Sequence, residues 1–330
     1  MIDSPPGGAA LGARLHDARR WTGWLIFLAA LTVVLAGLLF GGQDLMAYLR
    51  HLTPGVIAVL LGLSLVNYAL RAWRWDIFAR QRRIRVPFLR NVLYYVAGFA
   101  LTVTPGKVGE ALRLWLMRQR DEQPYGRTLP LLLADRLADG LALLAVACVG
   151  IASLNGGIIL ALVPAALVLL AMWWLCTRPR FLLMMAHWVQ GRMGRGRGRG
   201  GLRKLHRLSR EISGLLGSGP FLLGLVLSVI GWMAEAAALW WLLDSLGAPL
   251  DLHVVAFVFA AAMLAGAVAM LPGGLGGAEV SMVALLVGFG VAAEPSVIAT
   301  ALIRLTTLWF AVGLGFLALP LALRVARQRP

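Results

Sequence analysis

Charge, acidic residues and cysteine are all scarce in this sequence. Only 14% of the 330 residues are Asp, Glu, Lys or Arg, against 60% apolar residues, whereas an ordinary soluble domain carries about 25% charged residues. That balance excludes a soluble globular fold, because too little polar surface is available to cover so large an apolar content. The two cysteines, Cys148 and Cys176, both lie inside apolar runs, where cysteine behaves as a small packing residue. They build neither a disulfide framework nor a zinc site. His16, His51, His187, His206 and His253 are scattered near loops, so no metal cluster and no cofactor is expected. Apolar and polar residues alternate nowhere as they would in the strands of a transmembrane barrel. No Walker lysine and Ser/Thr pair follows any glycine-rich stretch, which excludes a nucleotide-binding loop.

What the sequence does contain is a series of apolar runs of about 20 residues, the length a helix needs to cross a bilayer. The chain therefore reads as an all-α polytopic membrane protein with about six transmembrane helices plus two re-entrant helical hairpins. Lys and Arg number 31 against 15 Asp and Glu, for a net charge of +16. The excess lies between the runs, as expected for cytoplasmic loops attracted to an anionic leaflet. Nucleic-acid binding is the less economical reading of the same charge.

The charge rule then orients the segments. Residues 1–20 read as a cytoplasmic tail. The run from Trp21 to Gly42 lacks a small-residue cleavage site and reads as a retained span. A second span, about Pro54 to Trp73, returns to a basic connector holding Arg71, Arg74, Arg80, Arg82, Arg83, Arg85 and Arg90. The run from about Phe88 to Thr104 breaks at Pro105 and Gly106 and continues to Arg118 and Arg120, so both of its ends are basic. A hairpin entered from the cytoplasmic side satisfies that pattern, with irregular backbone tolerated at depth where it lines a cavity. Spans at about Thr128 to Leu154 and Gly157 to Cys176 complete a first unit over 21–177. Residues 178–213 form a basic cytoplasmic loop with a Gly-Arg run at 191–200. The second unit, 214–323, contains a span at about Pro220 to Leu243, a hairpin broken at Pro272, and a last span from about Ser296 to Leu323. Both ends of the second hairpin lack Lys and Arg, so it enters from outside. Residues 324–330 are a cytoplasmic tail.

An internal repeat underlies this order. The stretch Thr104-Pro105-Gly106-Lys107-Val108-Gly109-Glu110 resembles Leu271-Pro272-Gly273-Gly274-Leu275-Gly276-Gly277-Ala278-Glu279. Pro105 and Pro272 lie 167 positions apart, Arg136 and Arg304 168, and Asn67 and Glu235 168. The charge-derived orientation makes the two units an inverted-topology repeat, the arrangement that builds a midplane site open alternately to each side.

Ionisable residues inside spans cost several kcal/mol and need a partner or a water-filled cavity. Lys107, Glu110 and Arg113 follow the first break; Asp135, Arg136 and Asp139 occupy the next span; Glu235, Glu279 and Arg304 are the second-unit counterparts. Two readings stand side by side. Glu110 with Arg136, and Glu279 with Arg304, are ion pairs that fix helix register, or the cations bind a lipid phosphate while the glutamates tune the cavity or carry a proton. The glycines Gly106, Gly109, Gly273, Gly274, Gly276 and Gly277 read as hairpin turns, with backbone approach to a headgroup as the secondary reading. Trp73, Trp75, Trp173, Trp174, Trp240 and Trp241 read as interface anchors.

These residues resemble a known family. Asn67 through Trp75, Pro105 through Glu110, Arg136 with Asp139, and Pro272 through Glu279 followed by Arg304 are similar to the flippase-like membrane domain of lysylphosphatidylglycerol synthases, the multiple peptide resistance factors. The similarity runs over roughly residues 20 to 325, with Lys107 standing where the family commonly has arginine, a change that keeps charge but loses a planar fork. It implies a lipid translocase of the bacterial inner membrane, and the charge pattern places both termini on the cytoplasmic side. The expected partners are membrane lipids of the phospholipid, polyprenyl phosphate or hopanoid type and the anionic leaflet; a homo-oligomer is left open. The soluble aminoacyl transferase of the full-length synthases has no counterpart before Pro330, so lipid aminoacylation is not expected. An integral-membrane transferase using Asp135 or Asp139 as base, and a scaffold recruiting a lipid-synthesis enzyme through the Arg-rich loop, are the competing readings.

Overall fold

The computed structural model describes residues 53–104, 108–152, 174, 214–269 and 272–328. All regular structure among these residues is helical. The expected span at Trp21 to Gly42, the span at Gly157 to Cys176 and the basic loop at 178–213 lie outside the described residues, apart from Trp174.

Helix α1, Pro54–Gln81, starts where the Thr53 hydroxyl accepts from the Val56 amide at 3.3 Å and Pro54 supplies a pre-set φ in the first turn. A short α2, Phe88–Ala97, runs into a 3₁₀ turn at Gly98–Leu101. Helix α3, Val108–Asp121, and helix α4, Tyr125–Ala152, follow. The second unit opens in the same way: Ser218 caps α5, Gly219–Ser245, by accepting from the Phe221 amide, with Pro220 in the first turn. Helix α6, Leu252–Val268, a tight turn at Pro272–Gly274 and α7, Gly277–Gly288, come next. Helix α8, Ala293–Arg304, passes through a π-turn at Leu305–Trp309 into α9, Phe310–Arg327. Long, short, short, long is thus the element order twice over, the second series being closed by the α8–α9 rod.

Three of these segments, Pro54–Gln81, Gly219–Ser245 and Ala293–Arg327, are long and apolar enough to cross a membrane. Helix α4 has 28 residues, about 42 Å at 1.5 Å per residue, but it carries Asp135, Arg136 and Asp139 in its middle. Outward faces are apolar: Leu65 and Val66 on α1, Leu222, Val226 and Ile230 on α5, and Leu317 on α9 are all exposed, as suits contact with lipid tails rather than water.

Packing interlocks the two series. Helices α1 and α5 form the most extensive contact; α2 and its 3₁₀ turn lie on α9, and α6 lies on α4. Each short apolar helix therefore packs on the closing helix of the other series. Glycine permits both approaches. A methyl group at Gly315 of α9 would overlap the Ala100 backbone, and one at Gly150 of α4 would stand 2.6 Å from the His253 carbonyl oxygen of α6.

Candidate functional site

Among the described residues, the buried charge of the first series gathers around α4. On α1, Arg74 is wholly buried and donates through Nε to Asp135 Oδ1 at 3.0 Å and through Nη1 to Asp139 Oδ1 at 2.7 Å. It also donates to the Ser228 hydroxyl of α5. One turn earlier Arg71 donates to Asp139 Oδ2 at 2.7 Å, and its guanidinium lies 5.1 Å from the Trp232 ring. The two carboxylates, one turn apart on α4, are thus held by two guanidiniums one turn apart on α1.

Arg136 faces α3, with Nε 3.1 Å from Glu110 Oε1. Arg113, near the middle of α3, is nearly inaccessible; its guanidinium sits 3.8 Å above Tyr95 and near Phe99 and Trp75. Its closest carboxylate contact is Nη1 to Asp135 Oδ2 at 3.8 Å, and neither Nε nor Nη1 has a hydrogen-bond partner among the described residues. A guanidinium so placed gains cation–π attraction but keeps donors to spare.

In the second series Arg304 closes α8. Its Nε donates to Glu279 Oε1 at 2.6 Å and its Nη2 to the Gly273 carbonyl at 2.8 Å, with Nη1 3.8 Å from the Met263 sulfur. Gly273 has φ +63°, the left-handed region glycine enters freely, and this turn aims its carbonyl at Arg304. The π-turn that follows releases the regular helix bonding, and the Thr307 carbonyl accepts from the Tyr68 hydroxyl of α1.

These groups surround a cavity of about 380 Å³. Glu110, Arg113 and Gly109 of α3, Arg136 and Asp139 of α4, Glu235 of α5 and Arg304 of α8 form its polar wall, with Gly273 and Gly274 at the turn. Tyr68, Phe99, Trp232, Leu143 and Leu308 supply apolar surface. Glu235 is 4% exposed. Among the described residues no hydrogen bond or ion pair reaches its carboxylate; Arg71, Arg304 and Asp139 are the charged groups around it.

Residues 21–315 match the family described as the lysylphosphatidylglycerol synthase TM region. The chain belongs to that family. A UPF0104 membrane protein of Methanothermobacter thermautotrophicus is 23% identical over 322 residues, covering 90% of this chain and 94% of its own length. A further match to a UPF0104 membrane protein of the same organism is 33% identical over 119 residues, 33% of this chain and 35% of that relative. The sequence resemblance to the membrane part of the synthases is therefore shown, as is membership of a membrane-protein family.

Of the residues singled out from the sequence of this family member, Glu110, Arg113, Arg136, Asp139, Glu235 and Arg304 come together on one wall. Asp135 and Glu279 sit behind it, contacting Arg113, Arg136 and Arg304. Gly276 and Gly277 lead into α7 without lining the cavity, and Pro272 belongs to the turn. Lys107, Pro105 and Gly106 lie outside the described residues. Both ion pairs anticipated from the sequence, Glu110 with Arg136 and Glu279 with Arg304, form.

Two expectations need correction. Arg71 and Arg74 do not belong to a cytoplasmic connector: α1 continues to Gln81, and both arginines are buried in it because two α4 carboxylates compensate them. Counting charges toward the positive-inside rule missed this; the signal available was the three-residue spacing of Arg71 and Arg74, which matches one helix face just as Asp135 and Asp139 do. Trp75 is not an interface anchor either. It is fully buried and donates to Asn91 Oδ1 at 3.0 Å, whereas Trp73, Trp174 and Trp241 are exposed.

Proposed function

We propose that the protein is a lipid translocase that moves an anionic or polyprenyl-linked headgroup between leaflets of the bacterial inner membrane, with both termini cytoplasmic. One observation carries the reading: a cavity with charged side chains on its wall lies between two series of helices whose outer faces are apolar; the first series contributes Glu110 and Arg136 to that wall, and the second contributes Arg304, which Glu279 holds from behind. Its volume lies in the range of about 300–1,000 Å³ typical of ligand sites, enough for a headgroup whose acyl chains stay in the bilayer. The repeat of element order supports the further reading of about six spanning helices and two re-entrant hairpins in opposite orientation, a construction suited to alternating access. Membership of a lipid-synthase membrane family supports a lipid as cargo. Glu110, Arg113, Asp135, Arg136, Asp139, Glu235, Glu279, Arg304 and Lys107 are the proposed headgroup-binding set.

A carrier is preferred to a membrane transferase because Asp135 and Asp139, the candidate bases, are both committed to guanidiniums. The test is headgroup accessibility in proteoliposomes carrying fluorescent phosphatidylglycerol or polyprenyl phosphate. Purified wild-type protein is expected to accelerate loss of the protected inner-leaflet pool, and Glu279→Gln to abolish the acceleration while remaining folded. Unchanged rates with folded Glu279→Gln would refute the assignment of the second pair.

A further inference from the structure

Among the described residues the charges around the cavity balance only when all five carboxylates are ionised, and one of those carboxylates has no partner. Five guanidiniums, those of Arg71, Arg74, Arg113, Arg136 and Arg304, face four carboxylates engaged in ion pairs, those of Glu110, Asp135, Asp139 and Glu279. The fifth carboxylate, Glu235, is buried on the cavity wall with no hydrogen bond or ion pair among the described residues. An unpartnered carboxylate in such a place is costly when ionised. Arg113 presents the complementary deficit, with two buried guanidinium nitrogens that donate to nothing among the described residues.

Resting on the headgroup-carrier reading, we infer that Glu235 is a proton site and that the cavity takes up one proton with each phosphodiester monoanion. With Glu235 ionised and no cargo, five positive charges meet five negative ones among the described residues. When the proton binds Glu235, one positive charge is uncompensated, and a phosphodiester whose oxygens accept from Arg113 restores neutrality by a charge-assisted fork. The proton comes from water and stays on a Glu235 carboxyl oxygen; the anion comes from the leaflet; no covalent bond of the lipid changes. Both leave together, so each crossing of the loaded site carries no net charge.

The surroundings of Glu235 fit this role. From α1 it faces Arg71 and the Tyr68 hydroxyl, from α4 Asp139, and from α8 Arg304. Helix α6 lines the cavity with Met263, Leu264, Gly266 and Ala267, none of them titratable. Arg71 is already held by Asp139 and Arg304 by Glu279. Each has its own partner, so Glu235 alone in this set is left to change charge. Linkage then requires that anion affinity depend on the proton and proton affinity on the anion by the same factor.

The experiment is calorimetric binding of dihexanoylphosphatidylglycerol to the full chain in detergent, in two buffers of different ionisation enthalpy, from pH 6 to 9. Wild type is expected to take up one proton per headgroup at the alkaline end, with affinity falling about tenfold per pH unit there. Glu235→Gln is expected to bind with no proton uptake and a flat profile, and so to bind more tightly than wild type at pH 9. Anion binding by wild type without proton uptake throughout this range overturns the inference, and so does uptake that persists in Glu235→Gln. Dihexanoylphosphatidylethanolamine distinguishes the other way of neutralising Glu235. If it alone binds, without proton uptake, and loses affinity in Glu235→Gln, the cargo's ammonium replaces the proton and the inference fails. Proton-linked binding without translocation in vesicles would refute the carrier reading and leave the proton site standing.

Discussion

The two helical series share one Glu–Arg pair each and differ in almost everything that surrounds it. Glu110 with Arg136 is embedded in a web of guanidiniums and carboxylates, whereas Glu279 with Arg304 stands alone against a backbone turn. At the 168-residue shift, Arg71, Arg74, Asp135 and Asp139 are matched by Leu239, Leu242, Ile303 and Thr307, and Arg113, one residue further on, by Met282. All five counterparts are buried. What one series fills with a compensated polar network, the other fills with side chains that pack. The comparison teaches that the Glu–Arg pair is common to both series, while the extra charges stand in the first alone. Stability alone does not call for them, since well-packed apolar residues can replace a buried ionic network at no net loss.

The largest test of this difference is Arg74→Leu, which copies the second series at one position. It leaves Asp135 and Asp139 buried with their best donor gone, and is expected to cost about 3–5 kcal/mol, read as a loss of folded protein in thermal melts in detergent. Adding Asp135→Ile, the residue of the other series, should restore a large part of that stability because the abandoned charge is removed as well. If the double variant is as unstable as the single one, the web is structural in its own right and the comparison breaks.

A smaller effect is expected where the series interlock. Gly315→Ala places a methyl group against the 3₁₀ turn that follows α2, and Gly150→Ala places one against backbone of α6. Overpacking of this kind costs about 1–3 kcal/mol, and the two should be alike if the exchange of partners is equivalent. Gly62→Ala, whose added methyl meets nothing within 4 Å, should gain up to about 1 kcal/mol from helix propensity. A tolerated change at one of the two interlocking sites alone would show that its short helix is free to move off its partner.

Much of this was legible in the sequence, for definite reasons. Apolar run length gave α1, α5 and the α8–α9 rod, and Pro-Gly breaks marked the turn at Pro272–Gly274, because both signals are local. The two Glu–Arg pairs were legible because a Pro-Gly break followed by a glutamate, and then an arginine, occurs twice at nearly one offset in the sequence. Arg71 and Arg74 were not, since their burial depends on carboxylates more than 60 positions away and arginines near a span end ordinarily mark the cytoplasmic side. The stacking of Arg113 on Tyr95 was equally hidden, as it depends on where α2 meets α3. The π-turn after Arg304 has no sequence signature that separates it from the helices it joins.

The finest distinction concerns the shared pair itself. Arg136 and Glu110 are 3.1 Å apart with the arginine side chain 34% accessible, while Arg304 and Glu279 are 2.6 Å apart with the arginine 7% accessible. Arg136 also shares Asp135 and Asp139 at 3.6 and 3.8 Å, so deleting Glu110 leaves it other anions. Arg304 has no second carboxylate among its ion pairs in the described residues and relies on the Gly273 carbonyl. Double-mutant cycles with Gln at each position should therefore give a coupling energy of up to about 1 kcal/mol for the first pair and about 1–3 kcal/mol for the second. Equal couplings would mean that the web around Arg136 does not dilute its bond to Glu110. A stronger first pair would place the rigid side of the cavity in the first series and leave the Gly273 turn as the part that yields when a headgroup passes.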